Sequence, residues 1–70
     1  MEKLYIVKKD WRDVVGNIIL KKGIKLKKLY INSWEMYGID TENRFWTDDF
    51  LDNREDVFLK VEYYDEVSNH

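Results

Sequence analysis

Val57-Phe58-Leu59-Lys60-Val61-Glu62-Tyr63-Tyr64 is the stretch on which the fold turns. In an extended chain Val57, Leu59, Val61 and Tyr63 line one side, and Phe58, Lys60, Glu62 and Tyr64 line the other. The segment is rich in β-branched and aromatic residues, and the polar run Asn53 to Asp56 precedes it, so it reads as a strand entered from a turn. Upstream, Leu4 to Lys8 is apolar on both sides, as expected of a strand covered on both faces. Asp10 to Asn17 is a loop holding Trp11, with Gly16-Asn17 as its turn residues. Ile18 to Leu20 is apolar again, and Lys21-Lys22-Gly23 forms a tight turn. Ile24 to Ile31 begins in clean alternation and then slips phase after Lys27-Lys28, which predicts a bulge there. Asn32-Ser33 is a turn, Trp34 to Ile39 a strand, Asp40 to Asn43 a hairpin loop and Arg44 to Thr47 another strand. Thr47 or Asp48 caps a short helical or 3₁₀ turn near residues 48–52. The tail 65–70 is expected to fray.

Five short strands and one helical turn in 70 residues predict an all-β protein, a small five-stranded barrel whose closure removes exposed sheet edges. The chain reads as a single domain with its ordered core over residues 4–64. A domain of this size buries only about 60% of the surface its unfolded chain exposes, so its packing has to be efficient. There is no Cys to staple it. Leu, Ile and Val occur six times each and are joined by three Trp, five Tyr and three Phe, whereas Ala, the best helix former, is absent. No apolar run approaches the ~20 residues of a membrane span, and the first residues carry no apolar leader, so a cytoplasmic, monomeric protein is the expectation.

Net charge is −2, yet residues 1–34 hold nine Lys/Arg against three Asp/Glu and residues 35–70 hold three against eleven. In a small barrel such halves interleave and neutralise one another across strands. Catalytic chemistry finds little footing. The sole His is His70, Ser33 and Ser68 have no evident base, and Gly16, Gly23 and Gly38 are isolated rather than gathered into a phosphate loop. Asp48, Asp49, Asp52 and Asp56 lack the spacing of a calcium loop and suit the start of a helix. No enzyme, cofactor or metal is expected.

Ile18-Ile19-Leu20-Lys21-Lys22-Gly23 resembles the diverging turn of SH3 domains, and Trp34, after a short loop, stands where those domains carry their signature Trp. Phe45-Trp46-Thr47-Asp48-Asp49-Phe50-Leu51 resembles their fourth strand running into a 3₁₀ turn. Ile6 precedes Gly23 by about the interval that separates the SH3 opening motif from its own Gly. The resemblance spans residues 4–63 and implies an SH3-like barrel. It departs from the family at the peptide groove, where Lys8 and Asp10 replace tyrosines, Thr47 replaces Pro and Phe50 replaces Tyr. The fold therefore carries over better than polyproline binding. The chain is also similar to small SH3-like proteins of Gram-positive prophages, the YorP type, which implies an accessory factor acting on a host protein.

Binding is thus the expected activity. Trp11, Trp34, Tyr37 and Trp46 are the candidate protein-binding residues, since aromatic side chains anchor interfaces. The alternative is nucleic-acid binding through Lys21, Lys22, Lys25, Lys27 and Lys28, with Tyr30 and Trp34 near enough to stack on bases. A sequence pI of 5.3 weighs against that alternative. A third reading takes the acidic second half as an imitation of DNA phosphates that occupies a host protein.

Overall fold

Strand β1 (Glu2–Val7) is the spine of the molecule. In the computed structural model, which describes residues 2–63, it pairs antiparallel with β7 (Phe58–Tyr63) along its whole length, from Glu2 opposite Tyr63 to Val7 opposite Phe58. The strand end expected at Tyr64 and the tail 65–70 lie outside the described residues. On its other side β1 pairs with β4 (Lys25–Ile31) through Tyr5–Leu26 and Ile6–Lys25. From Lys27 onward β4 pairs instead with β5 (Trp34–Ile39), which in turn pairs with β6 (Arg44–Trp46). The sheet order is β6-β5-β4-β1-β7, and β2 (Trp11–Arg12) and β3 (Ile18–Leu20) form a separate two-stranded ribbon. The helical turn expected near 48–52 is α1 (Asp48–Asp52), started by the Thr47 hydroxyl accepting from the Phe50 N–H at 3.2 Å.

The protein is all-β, as the alternation predicts, but the five-stranded sheet is open where a closed barrel was expected. The reason is the length of β6. It runs for three residues and stops at the cap of α1, so no backbone ladder joins it to β7. α1 and the ribbon cover that gap with side chains. The segment 10–17, expected to be all loop, contributes β2 to the ribbon.

Local chemistry explains the turns. Asn32 and Ser33 both have positive φ, 50° and 72°, which gives the two-residue β4–β5 hairpin a twist that matches its strands. Gly23, at φ 94°, ends the diverging turn and donates its N–H to the Val7 carbonyl at 2.8 Å. Gly38 is needed for a different reason. A Cβ there would overlap the Arg44 carbonyl oxygen, so only Gly lets β6 cross so close over β5.

Tyr5, Val7, Leu20, Leu26, Tyr37, Leu51, Val57 and Phe58 form the core, and Trp11, Ile19, Ile24, Ile39 and Trp46 pack around it. Burying each large side chain contributes about 1.5–3 kcal/mol. The Tyr5 and Tyr37 rings meet edge to face at 5.0 Å. Their hydroxyls escape desolvation by donating to Asp52 at 2.7 Å and Glu35 at 2.6 Å. The unequal halves of the chain do interleave: Lys3 reaches Asp48 at 3.3 Å and Lys9 reaches Asp56 at 3.7 Å.

The phase slip near Lys27-Lys28 is not a bulge. The β4–β5 register runs unbroken from Lys27–Gly38 to Ile31–Trp34. What changes is the side of the sheet on which apolar residues stand. Leu26 points into the core, whereas Leu29 and Ile31, an odd number of residues further on, point to the opposite face.

Candidate protein-binding interface

The change of side at Leu26–Leu29 extends across the sheet. On β1 the core takes Tyr5 and Val7, which turns Leu4 and Ile6 outward. On β7 the core takes Phe58, so Leu59, Val61 and Tyr63 face out. On β5 the core takes Tyr37, so Met36 and Trp34 face out. Cross-strand pairing joins these positions into two apolar patches, Ile6 opposite Leu59 and Leu4 opposite Val61 on β1–β7, and Leu29 opposite Met36 and Ile31 opposite Trp34 on β4–β5; on this side the link between the two patches is Ile6 opposite Lys25. Trp34 is 73% exposed, and Ile31, Leu59 and Tyr63 are exposed as well. Leu4, Ile6, Leu29, Met36 and Val61 are half-buried, and none of the five belongs to the core cluster or to the residues packed against it.

The inner face of the same half of the sheet is polar. Lys3, Lys28, Glu35 and Glu62 surround the Tyr37 hydroxyl there and line a shallow cleft of about 360 Å³ with Glu2. Lys28 bonds Glu2 at 2.8 Å, and that hydrogen bond, with the ammonium charge, holds the Glu2 carboxyl below its usual range. The upper half of the sheet is therefore amphipathic in the reverse sense from the lower half. Lys3, Lys28, Glu35 and Glu62 stand on its inner side, and Leu29, Ile31, Trp34, Met36, Val61 and Tyr63 stand on its outer side. Exposed apolar residues gathered in patches are candidates for contact with a partner.

The four expected binding residues do not form one patch. Tyr37 is 0% exposed, and its ring, packed on Tyr5, is unavailable to any partner. Trp11 is half-buried at the centre of an aromatic cluster, with ring centroids 5.8 Å from Trp46, 5.7 Å from Phe50 and 5.6 Å from Phe58. Arg54 lies over Trp11 and Arg44 over Trp46. Arg44 also donates to the Ile19 carbonyl at 2.6 Å, tying β6 to the ribbon. Trp11 and Trp46 thus close the open side of the sheet, and of the four only Trp34 stands clear in solvent.

The five lysines are divided as well. Lys28 faces inward and is spent on Glu2. Lys21 and Lys22 are exposed on the diverging turn, and Lys25 and Lys27 are exposed on the outward side of β4, with Lys25 opposite Ile6. Among the described residues no ammonium group of these four comes within 4.0 Å of a carboxylate, although the Lys22 backbone N–H donates to Asp10 at 2.8 Å. Lys25 and Lys27 thus stand on the outer side of β4 between the two apolar patches.

A second cleft, of about 490 Å³, runs between α1 and β7 and is lined by Tyr5, Lys8, Leu51, Asp52, Glu55, Phe58, Leu59 and Lys60. Burial alone would raise the Asp52 carboxyl, but hydrogen bonds from Tyr5 and Lys60 outweigh it and hold the group below its ordinary value. A carboxylate satisfied by a phenol and an ammonium is a structural link between α1 and the sheet. Among the described residues no three His, Cys, Asp or Glu side chains are placed to hold a metal ion, and no helix is long and apolar enough to cross a membrane.

Sequence reasoning missed Leu29, Ile31, Met36, Leu59 and Tyr63 as surface. One signal pointed to Leu29 and Ile31, the slip after Lys28. On β7 patterning pointed the other way, because Lys60 and Glu62 share their side with the buried Phe58. No family model, curated protein or solved structure matches the chain.

Proposed function

We propose that this chain is a non-catalytic protein-binding module that offers the outer face of its sheet, with Trp34 at the hairpin end, to an apolar segment carrying acidic groups. One observation carries the reading: on the outer side of the sheet Ile31, Trp34, Leu59 and Tyr63 are exposed, with Leu29, Met36 and Val61 half-buried beside them. Lys25 and Lys27, exposed on the same side, supply the complementary charge. The apolar centre favours a protein over a nucleic acid, whose backbone such a surface would not match.

An SH3-like relationship is part of the same proposal. The strand order β6-β5-β4-β1-β7, a ribbon inserted after β1, a Gly-ended turn into β4 and a helical turn before the last strand all support it. The binding surface would then differ from the peptide groove of that family, because here Trp11, Trp46 and Phe50 pack on one another rather than framing a slot.

Tagged wild-type protein and the Trp34→Ser and Met36→Lys variants would be used to recover partners from cells that make the protein. Binding of each recovered partner, once purified, would then be measured by calorimetry. A partner that binds the wild type with negative heat-capacity change and is lost in both folded variants supports the reading. A partner bound equally by all three places recognition elsewhere.

A further inference from the structure

β7 is an edge strand, and its backbone leaves two residues unpaired in a pattern that is its own complement. The Lys8 N–H donates to the Val57 carbonyl at 2.6 Å, which sets the alternation of the β1–β7 ladder. Leu59, Val61 and Tyr63 turn their N–H and C=O groups to β1, and Phe58, Lys60 and Glu62 turn theirs to the open edge. Phe58 is already satisfied by the Arg54 carbonyl at 2.9 Å. Among the described residues, Lys60 and Glu62 have no backbone partner on that side.

We propose that two copies of this chain pair through β7, antiparallel about a two-fold axis at Val61. In that register the outward groups of Lys60 exchange hydrogen bonds with those of the other copy's Glu62, and the symmetry repeats the exchange. Opposite charges then stand directly across from one another. On the apolar face Leu59 meets Tyr63 and Val61 meets its own copy, at positions where side chains approach most closely. Neighbouring registers are self-defeating. Centring on Lys60 sets ammonium against ammonium, and centring on Glu62 sets carboxylate against carboxylate. Lys60 keeps its contact with Asp52, at 3.2 Å, because that bond lies on the inner side of the strand. An isologous contact of this kind closes at two copies and does not propagate into a fibre. It would also join two outer faces edge to edge. The inference rests on the edge and charges of β7 and stands whether or not the outer face binds a partner.

Sedimentation velocity over micromolar to submillimolar concentration tests it. The wild type should show a concentration-dependent dimer, and Lys60→Glu and Glu62→Lys alone should each dimerise about tenfold or more weakly, since each faces a like charge twice. An equimolar mixture of the two should form a one-to-one heterodimer, a recovery that loss of folding cannot mimic. A wild type that stays monomeric, either variant dimerising like the wild type, or a mixture of folded variants that stays monomeric overturns the proposal. Should circular dichroism show Lys60→Glu unfolded, Glu62→Pro decides, because it removes the edge N–H and the facing carboxylate and no hydrogen bond of the β1–β7 ladder. A monomer supports the pairing and an undiminished dimer refutes it.

Discussion

Replacing Trp11 and Trp34 separately by Ala asks which indole holds the fold and which waits for a partner. Trp11 touches Trp46, Phe50 and Phe58 at centroid distances of 5.8, 5.7 and 5.6 Å and carries Arg54 on its face. Truncating a fully buried Trp costs about 3–5 kcal/mol, and the half-exposure of this ring lowers the expected loss to about 2–4 kcal/mol. A chain of this length has about 3.5–10 kcal/mol of total stability. Trp11→Ala should therefore remove about a fifth or more of it and lower Tm by about 10–30 °C, at ~4–8 °C per kcal/mol. Trp34 is 73% exposed and meets no other aromatic ring among the described residues, so Trp34→Ala should change stability by less than about 1 kcal/mol. Thermal unfolding followed by far-ultraviolet circular dichroism reads both. If Trp34→Ala loses more than about 1.5 kcal/mol, or Trp11→Ala leaves Tm unmoved, the division into closing cluster and exposed hairpin is wrong.

Three further outcomes are expected. Gly38→Ala should cost about 1–3 kcal/mol, because β6 must retreat from the overlap at the Arg44 carbonyl, and amide exchange in Arg44–Trp46 should speed up with it. Burial first, and then the neighbouring carboxylates of Asp52 and Glu35, push the Tyr5 and Tyr37 hydroxyls above their ordinary value of 10.0. A raised folded-state pKa contributes stability that is complete below the unfolded value and is lost as pH rises beyond it. The protein should thus unfold progressively above pH ~10, with these two phenolates appearing at 295 nm only as it does so, and Tyr37→Phe should move that midpoint upward. Thr47→Ala should cost about 1 kcal/mol by removing the cap of α1, measurable as a shift in urea midpoint with an unchanged slope.

Much of the fold was legible before the structure. Alternation over Val57 to Tyr64, the turn chemistry of Lys21-Lys22-Gly23 and Asn32-Ser33, and the capping Thr47 located nearly every element, because each is a local property of a few neighbouring residues. The short β2, inside a segment that read as loop, was not legible. Its pairing with β3 depends on Trp11 lying opposite Leu20, a contact that no local pattern announces. The site was less legible than the fold. Aromatic identity selected four residues, yet Tyr37 is core, Trp11 and Trp46 close the sheet, and only Trp34 reaches solvent. On β7 the more apolar side, Leu59, Val61 and Tyr63, is the one turned outward, which composition alone would have assigned to the interior.

The chain by itself determined the β class, the turns and the strands, since period-two patterning and positive-φ residues act within a few positions of one another. Tertiary structure alone decided which side of each strand is inside. Strands such as β1 are apolar on both faces, so their orientation is set by what the ribbon and α1 can cover. Those two elements reach Tyr5, Val7, Leu26 and Phe58 and leave Leu4, Leu29, Trp34 and Val61 on the opposite side of the sheet.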